Sequence, residues 1–148
     1  MNEEKKQRLK NYDGADKVVS CHELKLTLDQ SQDTHINVKS TIPGMDAAFD
    51  GFRGGELIVI SGPTKNGKTL LAQTLTVNFA QQYAFSLWFS FEVPCRQFLS
   101  QFRELPIIYM PSKLKPKAME WFEERVHESY LKYNTRIIFV DHLHYLVD

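Results

Sequence analysis

One run of eight residues carries the clearest chemistry in the sequence. Residues 62–69 read GPTKNGKT, a complete match to the pattern GxxxxGK(S/T). The two glycines let the backbone approach a bound anion closely, and the amides at the start of a following helix can converge on phosphate oxygens. Lys68 is expected to bridge the β- and γ-phosphates of a nucleoside triphosphate, and the Thr69 hydroxyl to ligate Mg²⁺. We call residues 62–70 the phosphate-binding loop; its predicted ligand-binding residues are Gly62, Pro63, Thr64, Lys65, Asn66, Gly67, Lys68, Thr69 and Leu70.

Two acidic residues follow apolar runs further along the chain. Glu92 follows LWFSF at residues 87–91, and Asp141 follows IIFV at residues 137–140. Parallel strands end at the same edge of a sheet, where ligands bind in open α/β folds. We therefore expect Asp141 to hold Mg²⁺ opposite Thr69, and Glu92 to polarise the water that attacks the γ-phosphate. The spacing alone is equally compatible with Glu92 as a solvated loop acid.

The elements that must position these residues follow from hydrophobic periodicity. Residues 57–60 read LIVI, a β-branched run typical of a strand covered on both faces, and it leads into the phosphate-binding loop. Strands that alternate with helices predict an α/β fold with a mostly parallel sheet flanked by helices. The predicted strands are 57–60, 85–91, 107–109 and 137–140, and the predicted helices are 69–82, 96–104 and 116–133. Their predicted buried residues include Leu71, Leu75, Phe79, Phe98, Leu99, Phe102, Met119, Phe122, Val126 and Tyr130.

The N-terminal region is less clear. Residues 1–17 mix acids and bases with little to bury, which predicts a charged arm that is mobile, forms a frayed helix, or docks on a neighbouring subunit. Leu24, Leu26 and Leu28 alternate in a strand-like way, and residues 29–34 are typical of a polar loop. We predict one domain over residues 18–148, after the arm.

Composition excludes several classes of protein. The 148 residues are 43% hydrophobic and 24% charged, which excludes a disordered tail and a disulfide-dependent mini-protein. With 18 basic and 18 acidic residues the net charge is zero, so any binding to a polyanion must be local. Cys21 and Cys95 show no metal-ligand spacing and favour a reducing compartment. No apolar run is long enough to cross a membrane, and no secretory signal is evident, so we predict a cytoplasmic protein.

The motifs also occur in a familiar order. TIPGMD at 41–46, GGEL at 54–57, GPTKNGKT at 62–69, FSFE at 89–92 and IIFVDHLHYL at 137–146 follow one another along the chain. This order resembles the RecA-like ATPase core of DnaB-type replicative helicases, a group that includes phage primase-helicases and the mitochondrial helicase Twinkle. The resemblance covers about residues 38–148. The Ser-x-Glu and Asp-x-Leu continuations are more specific than the phosphate-binding loop.

The resemblance implies a P-loop NTPase of RecA-like type that uses ATP and Mg²⁺ and is linked to DNA unwinding, replication or recombination. It implies that Lys68 and Thr69 contact the nucleotide and metal, that Asp141 contacts the metal, and that Glu92 is the catalytic base. Single-stranded DNA and a hexamer-like homo-oligomer are the implied partners, and no membrane is implied.

Two histidines depart from the family pattern. His144 stands where these helicases usually carry Gln, and His142 where many carry Tyr. If the strand continues, both lie on one face, so a metal site with Asp141 is one interpretation; polar residues satisfied near the sheet edge are the favoured one.

The resemblance also implies that the core is incomplete. In the family a later strand lies between the strand before the phosphate-binding loop and the strand of the metal-binding acid. That strand, its γ-phosphate sensor, the DNA-binding loops and the arginine finger would all follow residue 148. We therefore expect residues 57–60 to pair directly with 137–140, or another segment or chain to fill the gap, with residues 18–28 as one candidate.

Two other functions remain open on the sequence. The chain could be a nucleotide-binding or assembly module with little or no turnover, because the sensor and arginine finger are absent from it. A P-loop kinase acting on a small acceptor is disfavoured, because no acceptor-binding lid is evident.

Overall fold

The structure is a computed structural model that describes residues 1–30 and 36–147, and it divides into two units, Met1–Thr34 and His35–Asp148. The first unit contains two helices, α1 (Glu3–Lys10) and α2 (Cys21–Gln30), and neither buries a residue. The Asn2 side chain caps α1 by accepting a hydrogen bond from the Lys5 amide over 2.9 Å. The arm therefore contains a solvated helix.

The strand-like interpretation of the leucines in this unit is wrong. Leu24, Leu26 and Leu28 all lie on α2 and are about half exposed or more. The predicted loop at 29–34 begins inside α2, and residues 31–34 lie outside the described residues. Because residues 21–28 form a helix, residues 18–28 do not supply the strand that was expected to fill the gap in the sheet.

The second unit contains all the strands of the described residues. Its elements in chain order are β1 (Asn37–Val38), α3 (Pro43–Ala48), β2 (Phe52–Arg53), α4 (Lys68–Gln81), β3 (Ser86–Ser90), α5 (Cys95–Ser100), β4 (Ile108–Tyr109), α6 (Met119–Tyr133), β5 (Ile137–Asp141) and a 3₁₀ turn (Leu143–Tyr145). β1 and β2 form a small antiparallel pair. No helix in the described ranges is both long and apolar enough to span a membrane.

A parallel sheet of three strands, in the order β4–β3–β5, forms the centre of this unit. All five residues of β3 are buried, as expected of a central strand with both faces covered. Successive side chains of β3 point to opposite faces. Trp88 packs against Phe98 of α5 and Ala72 of α4, while Phe89 packs against Phe122 of α6. The predicted strands at 85–91, 107–109 and 137–140 are thus confirmed with slightly different bounds.

The predicted strand at 57–60 is wrong. The residues from Leu57 to Ile60 are extended but pair with no strand among the described residues, and they are 91%, 51%, 75% and 40% exposed. β5 pairs with β3 along one edge only, so direct pairing of 57–60 with β5 is also wrong. A strand needs a hydrogen-bonding neighbour, and β-branched composition cannot provide one. Filling of this gap by a second chain stays a prediction.

The helices differ from the predicted ones mainly in where they begin and end and in which of their residues are buried. α5 ends four residues early, at Ser100, and α6 begins at Met119 rather than at Pro116. On α4, Leu75 and Phe79 are buried as predicted. On α6, Met119 and Tyr130 are 41% and 50% exposed, so their predicted burial is wrong, and Ser129 is buried instead.

Candidate functional site

The phosphate-binding loop leads directly into a helix N-terminus. Gly67 precedes α4 with φ 81° and ψ 18°, a left-handed conformation that a residue with a Cβ adopts only with strain. No side chain of the described residues caps α4. The amides of its first turn lack partners within the helix, and with the helix dipole they can bind an anion.

The Lys68 side chain folds back over the loop. Its Nζ donates hydrogen bonds to the carbonyl oxygens of Gly62, over 2.8 Å, and Pro63, over 2.9 Å. The loop residues before it are exposed. An ammonium group held above an exposed loop by two carbonyls can move to a phosphate, because the anion offers a stronger charge-assisted hydrogen bond.

The two acids lie at the carboxyl ends of neighbouring strands. Ser90 and Asp141 are register partners across the β3–β5 pair, and Glu92 follows Ser90 by two residues. The Ser90 hydroxyl donates to the Val93 carbonyl over 2.8 Å and thereby fixes the turn that carries Glu92. The structure therefore brings Glu92 and Asp141 to one sheet edge, as their positions after parallel strands predict.

Asp141 sits in an electrostatic environment that suits a cation. Burial raises the pKa of its carboxyl group, and the negative charge of Glu92 raises it further. The charges of His142 and Lys68 oppose this rise, so Lys68 also acts at this edge. The Asp141 Oδ2 atom is buried and has no hydrogen-bond partner among residues 1–30 and 36–147.

These features fit Mg²⁺. A buried carboxylate oxygen without a partner, next to a second carboxylate, is a hard oxygen donor in a site that needs positive charge. The residues that would hold the ion are Asp141 and Thr69, which is half-buried in the first turn of α4. A bound Mg²⁺ would supply charge neutralisation at the phosphates.

His142 and His144 make a contact that the sequence analysis missed. His142 Nε2 lies 2.7 Å from Glu92 Oε2, and the Nδ1 atoms of the two histidines lie 3.2 Å apart. Among the described residues, no group of three or more His, Cys, Asp or Glu could hold a metal ion, so the Asp141–His142–His144 metal interpretation is wrong. Both histidines follow β5, and β5 pairs with β3, the strand that leads to Glu92. Their position after a neighbouring strand is the signal in the sequence that could have indicated this contact.

A cavity of the second unit lies away from these residues. Its volume is about 520 Å³, and it is lined by residues of β4, the following loop and α6, including Tyr109, Trp121 and Arg125. None of its lining residues belongs to the phosphate-binding loop or is Glu92 or Asp141. The sheet edge that carries Glu92 and Asp141 is therefore separate from this cavity.

Comparison with known families agrees with this geometry. Residues 38–108 match the family model described as ATPase: KaiC. The KaiC-like segment includes the phosphate-binding loop, α4, β3 and Glu92, and ends before β5. No curated protein and no solved structure matches the chain.

The KaiC-like match bears on the fold and on the general activity. It confirms an α/β fold of the RecA-like P-loop type, here with a parallel sheet of three strands flanked by helices. It supports nucleotide binding and ATPase activity in general, with ATP as the nucleotide and Mg²⁺ as the usual metal of such ATPases. The match therefore supports the resemblance to RecA-like ATPases over residues 38–108.

Proposed function

We propose that this chain binds MgATP and hydrolyses it in the manner of a DnaB-type RecA-like motor that is linked to DNA unwinding, replication or recombination. The observation that carries the proposal is electrostatic and geometric. Glu92 and Asp141 lie at the carboxyl ends of the paired strands β3 and β5, and the charges of Lys68 and Glu92 both shift the pKa of the Asp141 carboxyl group. This convergence is what nucleoside triphosphate hydrolysis requires.

Each residue has a defined role in the proposed reaction. The amides of residues 62–70 and the Lys68 ammonium bind the β- and γ-phosphates, where negative charge develops during transfer. Thr69 and Asp141 hold the metal. Glu92 orients and polarises the water that attacks the γ-phosphate, which suits an exposed carboxylate.

The link to DNA rests on the resemblance to DnaB-type helicases. In that group a neighbouring subunit completes the site, so we propose a homo-oligomer and single-stranded DNA as partners, in the cytoplasm. The measurements are light scattering with and without MgATP, and ATP turnover with and without single-stranded DNA. Turnover that DNA does not change in an assembled ring would refute the link.

The site assignment is tested by ATP turnover and binding in single variants. Glu92→Gln should lower kcat about 100-fold or more and leave nucleotide binding intact, because it removes only the base. Lys68→Ala should weaken binding of the triphosphate. The matched controls are Glu104→Gln and Lys113→Ala, which remove exposed charges outside the site and should change neither quantity. Unchanged hydrolysis in both site variants would refute the assignment.

A second function is favoured by the exposure of residues 57–60. The segment that leads into the phosphate-binding loop pairs with no strand in the part of the chain that the structure describes, so no strand of the sheet supports the loop from this side. A nucleotide-binding or assembly module, in which ATP stabilises an interface without turnover, follows from this. Tight nucleotide binding with no hydrolysis, even in the presence of single-stranded DNA, would favour this function over the motor.

A further inference from the structure

Glu92 is held by a short chain of hydrogen-bonding groups. His142 Nε2 lies 2.7 Å from Glu92 Oε2, and His142 Nδ1 lies 3.2 Å from His144 Nδ1. Two side chains that follow β5 are thus connected in series to the carboxylate that follows β3.

The backbone is bent to make this contact. His142 adopts φ 67° and ψ 79°, a positive φ that non-glycine residues adopt at a cost in free energy. The bend separates β5 from the 3₁₀ turn Leu143–Tyr145, so that the His142 ring reaches Glu92 instead of continuing the strand. Strained residues cluster at functional sites, so strain at a residue that contacts the candidate base indicates a functional role.

Aromatic packing holds the second histidine. The rings of His144 and Tyr145 are 4.3 Å apart, and Tyr145 stacks on Phe91, the residue before Glu92, with ring centroids 6.0 Å apart. The 3₁₀ turn is therefore connected to Glu92 through His144 and His142. It also contacts Phe91, the residue before Glu92, through Tyr145.

One arrangement of protons satisfies both short contacts with neutral rings. A carboxylate can only accept, so the proton at the first contact lies on His142 Nε2. In that neutral tautomer His142 Nδ1 accepts, and His144 Nδ1–H must donate to it. His144 thus fixes the tautomer of His142, and His142 fixes the orientation of the carboxylate.

We propose that His142 and His144 are positioning residues, a histidine pair that orients Glu92 for attack of water on the γ-phosphate. The inference rests on the proposed ATPase function. Neither histidine contacts the nucleotide in this scheme, and the effect of each passes through the Glu92 carboxylate.

Turnover of the full chain tests the pair. His142→Phe keeps a ring but removes the donor, and we expect kcat to fall about 10- to 100-fold, because a displaced catalytic group costs rate steeply. The KM for ATP should stay within about twofold, since the pair does not bind nucleotide. His142→Gln retains an N–H donor and should recover most of the activity, while His144→Phe should cause a smaller loss.

Two comparisons separate this inference from the proposed function. The same replacements at His127, an exposed histidine of α6, should leave kcat unchanged. In a Glu92→Gln background, His142→Phe should add no further loss. If Glu92→Gln abolishes turnover but His142→Phe is as active as the parent, the histidine pair is refuted and the ATPase stands. If Glu92→Gln has no effect, the proposed function fails first.

A spectroscopic measurement decides the question even where turnover is low. Long-range ¹H–¹⁵N correlation spectra of the histidine rings should show His142 protonated at Nε2 and His144 at Nδ1, and Glu92→Ala should change the His142 pattern. Protonation of neutral His142 at Nδ1, or a pattern that Glu92→Ala does not alter, would overturn the proposal.

Discussion

The hydrogen bond between Trp88 and Thr76 connects the two halves of the candidate site. Thr76 lies on α4, which begins at the phosphate-binding loop, and Trp88 lies on β3, which leads to Glu92. Trp88 Nε1 donates to Thr76 Oγ1 over 2.9 Å, and the two residues are 1% and 0% exposed. Thr76→Val keeps the volume of the side chain and removes the acceptor.

The magnitude follows from burial. A buried donor that loses its acceptor costs about 1–3 kcal/mol. The Thr76 hydroxyl also donates to the Ala72 carbonyl over 2.8 Å, but that carbonyl accepts a backbone hydrogen bond within the helix, so its loss adds little. We expect Thr76→Val to lower the free energy of unfolding by about 2 kcal/mol, which lowers Tm by roughly 4–8 °C.

A double-mutant cycle measures this contribution. Urea unfolding followed by far-ultraviolet circular dichroism is compared for Thr76→Val, Trp88→Phe and the combination. Thr76→Ser is the control, because it keeps the hydroxyl and loses one methyl group, at a cost of about 1 kcal/mol. Equal destabilisation by Thr76→Val in the presence and in the absence of Trp88 would refute the reasoning. Nucleotide affinity should fall only in the variants that lack the hydrogen bond between Trp88 and Thr76.

Three further predictions follow from single residues. The raised pKa of Asp141 means that its stabilising contribution is full below the ordinary value of 3.8 and is lost as pH rises through the folded-state pKa. As pH rises from the ordinary pKa through the folded-state pKa of Asp141, the Tm of the parent should therefore fall relative to the Tm of Asp141→Asn. At neutral pH, Mg²⁺ should raise the Tm of the parent but not that of Asp141→Asn. Gly67→Ala places a Cβ at φ 81° and should cost about 1–2 kcal/mol in thermal unfolding, whereas Gly44→Ala, in a helix and with open space around it, should cost nothing. Hydrogen bonds from Ser40 lower the pKa of Asp46. The contribution of Asp46 to stability is therefore present above its ordinary pKa and is lost as pH falls through the lowered pKa. The Tm of Asp46→Asn should accordingly fall less in acid than the Tm of the parent.

Features that depend on neighbours along the chain can be predicted from the sequence, whereas features that depend on distant residues cannot. The sequence predicts β3 and β5 because each is a mainly apolar run; β3 is buried along its whole length, and β5 is mostly half-buried beside it. The run at 57–60 has the same composition and forms no strand, because strand formation depends on an edge that other parts of the chain must offer. The strand predicted from the leucines of α2 is wrong for a related reason, since alternation indicates a strand only where one face is buried.

The candidate site divides in the same way. The phosphate-binding loop is a local feature, and the order of glycines, lysine and threonine is enough to predict its helix N-terminus and its left-handed Gly67. Convergence of Glu92 and Asp141 could be inferred from parallel strands, because such strands share a carboxyl edge. The contact of His142 with Glu92 could not, because it depends on a positive φ at one residue.

The sequence by itself determined the chemistry of the site: a phosphate-binding loop at a helix start and two acids at strand ends, all set by residue type and spacing. The tertiary structure alone decided which edges pair, which helix faces are covered, and which side chain contacts Glu92. The physical reason is that backbone preferences act between near neighbours along the chain, whereas pairing, burial and side-chain contacts depend on residues that only folding brings together.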